Sequence, residues 1–259
     1  MQSGGIYVNM KLAINGVCTA LWEKWAEFRF EWKKITATAL VTPLMYLIAL
    51  GWGLGNTATI TDRPYIDFLV PGILALTTMN TSFSAVAMPL NVQRLFERSF
   101  DQIVISPTPM CSYILGQVFG GALRGMYAGI LILLLAIPFG ARISVTILLF
   151  LTMLLGGMTF SAFGVVAALV AATHADVSRF STFVIFPMTF LCNTIFPIER
   201  TPELVRMIVK ILPLTQMSNA IRTISYGKGA PIWPYLILSG YLALFIAVSN
   251  IIMFRKKSC

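Results

Sequence analysis

Apolar positions along this chain gather into six long runs, and charged or turn-forming residues gather between them. The runs predicted as spans cover about residues 36–54, 67–90, 111–137, 144–172, 181–196 and 234–254. Most approach or exceed the roughly 20 apolar residues that a bilayer-crossing helix needs. Punctuation fits as well. Gly51, Gly53 and Gly55 close the first run, Pro138 follows the third, Pro187 interrupts the fifth and Pro197 ends it, and Arg255-Lys256-Lys257 close the sixth. The second run is unusually polar, with Thr77, Thr78, Asn80, Thr81, Ser82 and Ser84. The alternation of a barrel strand is absent, and an open sheet edge is not tolerated in hydrocarbon, so the runs are read as helices.

Ahead of the first run, residues 19–34 (TALWEKWAEFRFEWKK) keep a helical period while carrying many charges. Leu21, Trp25, Phe28 and Trp32 step by four, three and four onto one face; Glu23, Glu27, Glu31 and Lys34 take the other. This predicts an amphipathic helix lying in the headgroup layer, its aromatic face toward lipid, with packing on a soluble partner as the alternative. Residues 198–230, between the fifth and sixth runs, predict a pair of short helices. Thr201-Pro202-Glu203 reads as N-cap, first-turn proline and first-turn acid. Leu204, Ile208 and Ile211 then form an apolar face, against Glu203, Arg206 and Lys210. Pro213 ends that helix at about half the length of a span, and a second runs from about Thr215 to Ser225. The pair is expected to form an external re-entrant hairpin, a gate to which Glu199, Arg206 and Lys210 would contribute.

Composition makes membrane residence the only economical reading. Of 259 residues, 57% are hydrophobic and 11% charged, against about 45–50% and 25% in soluble domains. The expected fold is a single all-α polytopic transmembrane domain over residues 1–259: six transmembrane helices, an N-terminal amphipathic interface helix, and the hairpin between helices 5 and 6. The net charge of +9 is read as membrane-flanking Lys and Arg rather than a nucleic-acid surface. With the N-terminus inside, eleven Lys and Arg fall on the inner side and seven on the outer, with Arg124 inside a span. Both termini are therefore expected in the cytoplasm of a plasma (inner) membrane protein. No secretory signal is expected, because Lys11 interrupts the first apolar stretch.

Little in the chain carries chemistry of its own. Cys18, Cys111, Cys192 and Cys259 are widely spaced and His174 is the single histidine, so no metal or cofactor site is expected. Gly227-Lys228-Gly229 lacks the spacing and the Ser or Thr of a phosphate loop. Arg124 lies in GQVFGGALRGMYAG, where Gly121, Gly125 and Gly129 recur every four residues and Gly116 and Gly120 add a neighbouring strip. It is read either as a cation of a translocation path, together with Asn80, or as one arm of a structural pair. No acidic partner stands beside it in the spans, which weighs against a proton- or sodium-coupled carrier. In the loop 91–109 (NVQRLFERSFDQIVISPTP), Arg94 with Glu97 and Arg98 with Asp101 are spaced for helical ion pairs. Two readings stand for it: a docking helix for a cytoplasmic partner, or an ordinary solvated loop.

Several motifs in order carry a resemblance: YIDFLVPGIL opening the second run, SPTP closing the inner loop, GGALRG in the third run, and FPIERTPELVRMIVKILPLTQMSNAIR after the fifth. With the tryptophan-rich N-terminus, these resemble the permease subunits of type-2 ABC exporters, in the branch of drug-resistance and nodulation-factor exporters. The resemblance extends over about residues 20–255, with FLVPG at 68–72 and PLT at 213–215 as its clearest motifs. It implies a homodimer of six-helix subunits working with two copies of a separate ABC ATP-binding subunit, where ATP and Mg would bind. The interface helix and the 91–109 loop would contact that subunit. One departure is the inner loop, which reads FDQIVISP where the family often has a leucine-rich basic run. The expected function is export of an amphipathic or lipid-linked substrate (drug, lipid or glycolipid-like oligosaccharide). A membrane scaffold without ATP coupling and a secondary carrier are the alternatives.

Overall fold

The computed structural model describes residues 3–52, 59–60, 63–97, 102–103, 105–106, 108–141, 143–192, 194, 203–229 and 231–257. Helix α1 runs from Ser3 to Tyr46 and passes directly into a π-helical turn, Leu47–Trp52. A short antiparallel ladder, β1 (Thr59–Ile60) with β2 (Arg63–Pro64), leads into α2, Tyr65–Leu95. Then come α3 (Met110–Ala136), α4 (Ile147–Val170), α5 (His174–Phe180), a π-helical turn Ser181–Ile185, and α6 (Phe186–Leu191). The chain ends with α7 (Glu203–Ile211), α8 (Pro213–Ser225) and α9 (Ile232–Lys257).

Among the described residues, five helices are long and apolar enough to cross a bilayer: Lys11–Leu50 within α1, then α2, α3, α4 and Ile232–Phe254 of α9. The fifth expected span, 181–196, has a different build. Helical residues there begin at His174, pass through a π-helical turn and stop at Leu191, and residues 195–202 lie outside the described set. A second difference concerns α1. The expected interface helix 19–34 and first span 36–54 are not separate elements, because one helix runs through both. Nothing at 34–36 breaks it: there is no Gly or Pro, and the Thr36 and Thr38 hydroxyls bond back to the Trp32 and Lys34 carbonyls at 2.7 and 2.9 Å.

The core surrounds α2, which packs against α3, α4 and α8. The glycines of α3 explain how closely its neighbours approach, and they serve two partners. A Cβ on Gly125 would overlap the Ser82 hydroxyl and lie 2.8 Å from the Thr78 carbonyl; one on Gly121 would lie 2.6 Å from a Val86 methyl. On the adjacent strip, a Cβ on Gly116 would lie 2.6 Å from Ala20 Cβ, and one on Gly120 2.9 Å from Lys24 Cγ. One strip therefore receives α2 and the other α1, with small residues permitting close helix approach. Three buried threonines of the spans are satisfied within their own helices. Thr78, Thr152 and Thr159 donate to carbonyls four residues back on their own helices, at 2.8–2.9 Å.

Two short helices form between residues 203 and 225 as the sequence predicts, joined at Leu212. The second, α8, is buried along nearly its whole length against α2, α4 and α9. The Thr215 hydroxyl and Gln216 amide donate to the Val209 and Lys210 carbonyls at 2.6 and 2.5 Å, holding the two helices together. Gly227, at φ 72, turns the chain out of α8.

Candidate functional site

The Glu23, Lys24 and Glu27 side of α1 points inward. Lys24 is 7% exposed, and its ammonium donates to the Ala85 carbonyl of α2 at 2.9 Å and to Glu27 Oε2 at 3.0 Å. Glu27 Oε1 accepts from Arg124 Nη1 of α3 at 2.8 Å. One carboxylate thus serves two cations and joins three helices. One turn away, Glu23 Oε1 accepts from the Gln93 amide at 2.5 Å and Oε2 from the Gln117 amide at 3.3 Å. Tyr113 donates to Gln93 Oε1 at 3.3 Å and accepts from Gln117 at 2.8 Å. Glu23, Lys24 and Glu27 therefore form a polar seam linking the N-terminal helix to α2 and α3.

The aromatic face of α1 points mostly outward. Trp22 and Trp25 are 70% and 57% exposed, and Trp32 is also exposed. Leu21 and Phe28 sit at the edge of the α3 contact, where Phe28 meets Tyr127 edge-on with ring centroids 5.0 Å apart and Trp25 stacks on Phe28. Of the expected aromatic stripe, Trp25 and Trp32 are exposed; on the opposite face Glu23 and Glu27 meet protein, while the Glu31–Lys34 pair stays exposed. The physical reason is the solvent. Where the surroundings are apolar, a helix gains by turning its carboxylates to partners inside the protein, since an unpaired charge in a medium of low dielectric is costly.

This arrangement gives Arg124 an acidic partner, Glu27, from outside the spans expected from sequence. Asn80 is not brought to it. Asn80 is half-buried on α2, two residues from both Thr78 and Ser82, which meet the α3 glycines, and so lies on the opposite side of that helix. Lys24, Gln93, Tyr113 and Gln117 escaped the sequence reading. Their signal was there: Gln117, Gly120 and Arg124 recur at three and four residues, as do Glu23 and Glu27, but a period does not name the partner helix.

At the α2–α3 turn, residues 91–95 belong to α2 rather than to a separate loop helix. Arg94 donates to the Leu169 and Ala171 carbonyls at the end of α4, so its guanidinium ties two helices together. Glu97 is exposed, while Arg98 and Asp101 lie outside the described residues. Phe96 and Ile105 present apolar side chains there, 69% and 84% exposed. Beside them, α5 opens with a capping box between Thr173 and Asp176. Its hydrogen bonds with Thr173, and then the Arg179 guanidinium, hold the Asp176 carboxyl below its ordinary value. That contribution is intact at neutral pH and is lost as pH falls through the lowered value.

At the opposite end of α2, Arg222 of α8 is buried, donates to the Phe68 carbonyl at 3.2 Å and lies 3.8 Å from the Phe68 ring centroid. Gly72 closes the same FLVPG segment, where a Cβ would overlap the Thr194 carbonyl. In α7, Lys210 is exposed and Arg206 half-buried; Glu199 lies outside the described residues. No cluster of three metal-ligating side chains occurs among the described residues.

Residues 15–226 match the ABC-2 type transporter family. The chain is similar to the inner membrane transport permease YadH of Escherichia coli K12, 26% identical over 242 residues that cover 90% of this chain and 92% of that protein. It is also similar to Nodulation protein J of Rhizobium meliloti strain 1021, 28% identical over 210 residues, covering 79% and 80%. Nodulation protein J of Rhizobium leguminosarum bv. viciae is 25% identical over 230 residues, covering 86% and 88%.

Proposed function

Because the chain belongs to the ABC-2 type transporter family, a family of transport permeases and not of enzymes, we propose that it is the membrane-spanning subunit of an ATP-driven exporter in the inner membrane. Permeases of this family work with an ATP-binding subunit, and its multi-pass architecture follows from its apolar helices. Two copies of this chain would pair with two ATPase copies, with ATP and Mg on the ATPase. The cargo would be amphipathic or lipid-linked: a drug, a lipid or a glycolipid-like oligosaccharide. Both termini would face the cytoplasm, with the fifth expected span, residues 181–196, completing six crossings.

The polar seam of α1 carries the mechanism. A helix whose N-terminal end reaches the cytoplasm, and whose Glu23, Lys24 and Glu27 hold α2 and α3, would pass movement at the ATPase directly to the helix pair around Arg124. The α2–α3 turn would supply the second contact. There the anchors would be Phe96 and Ile105, with Glu97, Arg98 and Asp101 around them and Arg94 holding the turn on α4. The α7–α8 pair would be an external re-entrant gate, its second helix tolerated at membrane depth because it is packed in protein. Charged Arg206 and Lys210 on the first helix would keep that helix at the surface.

Affinity isolation in mild detergent tests the reading. A soluble ATPase should copurify, with hydrolysis stimulated by lipid or drug; a permease recovered without one would favour a scaffold or a secondary carrier. Ile105→Asp with Phe96→Asp should weaken ATPase capture roughly thirtyfold, as loss of an interface anchor worth about 2 kcal/mol would, while the permease stays folded. Unchanged capture would remove the turn from the interface. For the gate, single cysteines at Lys210 and Lys228, with native cysteines replaced, should both react with an impermeant thiol reagent added to intact cells. Labelling of one alone would require a crossing between them and exclude the hairpin.

A further inference from the structure

Proline interrupts α2 twice, at Pro71 and Pro89. A proline has no N–H, so each leaves the carbonyl four residues back without the donor that a helix normally supplies. In apolar surroundings an unpaired carbonyl is costly, and a transmembrane helix tolerates such a proline where another group takes up the freed carbonyl. For Pro89 that carbonyl belongs to Ala85, a fully buried residue, and the Lys24 ammonium of α1 donates to it at 2.9 Å. For Pro71 it belongs to Asp67, and the Tyr226 hydroxyl at the end of α8 reaches it at 3.5 Å. Both freed carbonyls of α2 are thus met by a side chain from another part of the fold.

The Pro89 site has a second arm. One turn beyond the proline, the Gln93 amide donates to Glu23 Oε1 at 2.5 Å. Glu23 and Lys24 are neighbours on α1, whereas Ala85 and Gln93 lie about 12 Å apart along α2 at 1.5 Å per residue. Two adjacent side chains therefore grip α2 on both sides of the point where its ladder lacks a rung. Past Pro89 only Leu90–Leu95 remain of α2, and among them Arg94 is tied to the end of α4.

We infer that Glu23 and Lys24 clasp α2 across Pro89, so that the position of α1 sets the angle of the last turns of α2. A helix bends more readily at a proline than elsewhere, and the clasp holds one angle while both arms are closed. Lys24 suits this role because it has a second partner. Its ammonium can leave the Ala85 carbonyl and stay paired with Glu27, now at 3.0 Å, so opening that arm strands no charge. In the exporter proposed above, on which this consequence rests, movement of α1 opens the clasp and tilts the α2–α3 turn, with Phe96 and Ile105, against the rest of α2.

Spin labels at Ser84 and Glu97, in a chain whose native cysteines are replaced, bracket Pro89 about 20 Å apart. Both residues are exposed, and the Glu97 amide still donates to the Val92 carbonyl at 3.3 Å, so its label reports the end of α2. Purified permease in detergent, with neither nucleotide nor cargo, should give one narrow distance distribution. Lys24→Met should broaden it about twofold, as a helix free to bend at its proline would. Gln93→Leu, which opens the other arm, should do the same and serves where Lys24→Met is not recovered. Adding Pro89→Ala returns an amide to the Ala85 carbonyl and should narrow the distribution again, a rescue that general loosening of α1 cannot produce. Pro71→Ala, at the other proline, should not rescue. An unchanged distribution in both arm variants, or a broadening that Pro89→Ala leaves in place, overturns the proposal. Since this measurement needs no ATPase, the clasp can fail while the transport reading stands, and the reverse.

Discussion

Glu27→Gln should destabilise the permease by about 2–3 kcal/mol and loosen α1 from α3. Breaking a buried ion pair by removing one partner costs about 3–5 kcal/mol. The figure is reduced here because the side chains of Glu27 and Arg124 are 25% and 19% exposed. The substitution leaves Lys24 and Arg124 facing each other without their shared anion. Adding Arg124→Gln removes that repulsion and leaves only Lys24 without its anion, so the double variant should be more stable than the sum of the singles predicts, by about 1.5 kcal/mol. Thermal unfolding in detergent, followed by loss of the monodisperse species, gives the cycle. Additive losses would show that the pair is not coupled. In the assembled transporter the same single change should depress transport more than ATP hydrolysis, because the seam would no longer carry movement from α1 to the helix pair. Equal loss of both would point to a general folding defect.

The second large effect is steric. Gly125→Leu should abolish recovery of folded protein, whereas Gly240→Leu in α9 should leave it unchanged. A side chain at Gly125 meets the Ser82 hydroxyl and the Thr78 backbone of α2, while at Gly240 nothing lies within 4 Å. Overpacking typically costs about 1–3 kcal/mol, and more where backbone rather than a flexible side chain must yield. Gly72→Ala should behave like Gly125→Leu in kind, because its Cβ would meet the Thr194 backbone. Recovery of monodisperse protein is the measurement, and Gly240→Leu controls for the general cost of a larger residue in a helix. Equal recovery of Gly125→Leu and Gly240→Leu would mean that α2 and α3 do not approach as described.

Four spans and both short helices were legible in advance because they depend on quantities local to the chain. The runs 67–90, 111–137, 144–172 and 234–254 lie on α2, α3, α4 and α9 with small shifts at the ends. An apolar run long enough to cross, ended by Pro, Gly or charge, sets its own limits whatever packs against it. The α7–α8 break at Leu212 was legible for the same reason, since Pro213 cannot continue a helix from the preceding turn. The four-residue glycine repeats likewise announced a face for close helix approach on α3, which the structure divides between α2 and α1.

Period within a helix fixes which residues share a face, and that much of α1 was determined by sequence: Trp25 and Trp32 on one side, Glu23 and Glu27 on the other. It does not fix which way that face turns. The structure turned the carboxylates of α1 onto Gln93, Gln117 and Arg124, and so supplied from outside the expected spans the partner that Arg124 lacked. It also separated Asn80 from Arg124, gave Arg94 to the carbonyls of α4, and buried α8. These outcomes depend on the rotation of each helix about its axis and on residues tens of positions away. Their sign depends on the solvent as well: in apolar surroundings the stable rotation is the one that hides charge.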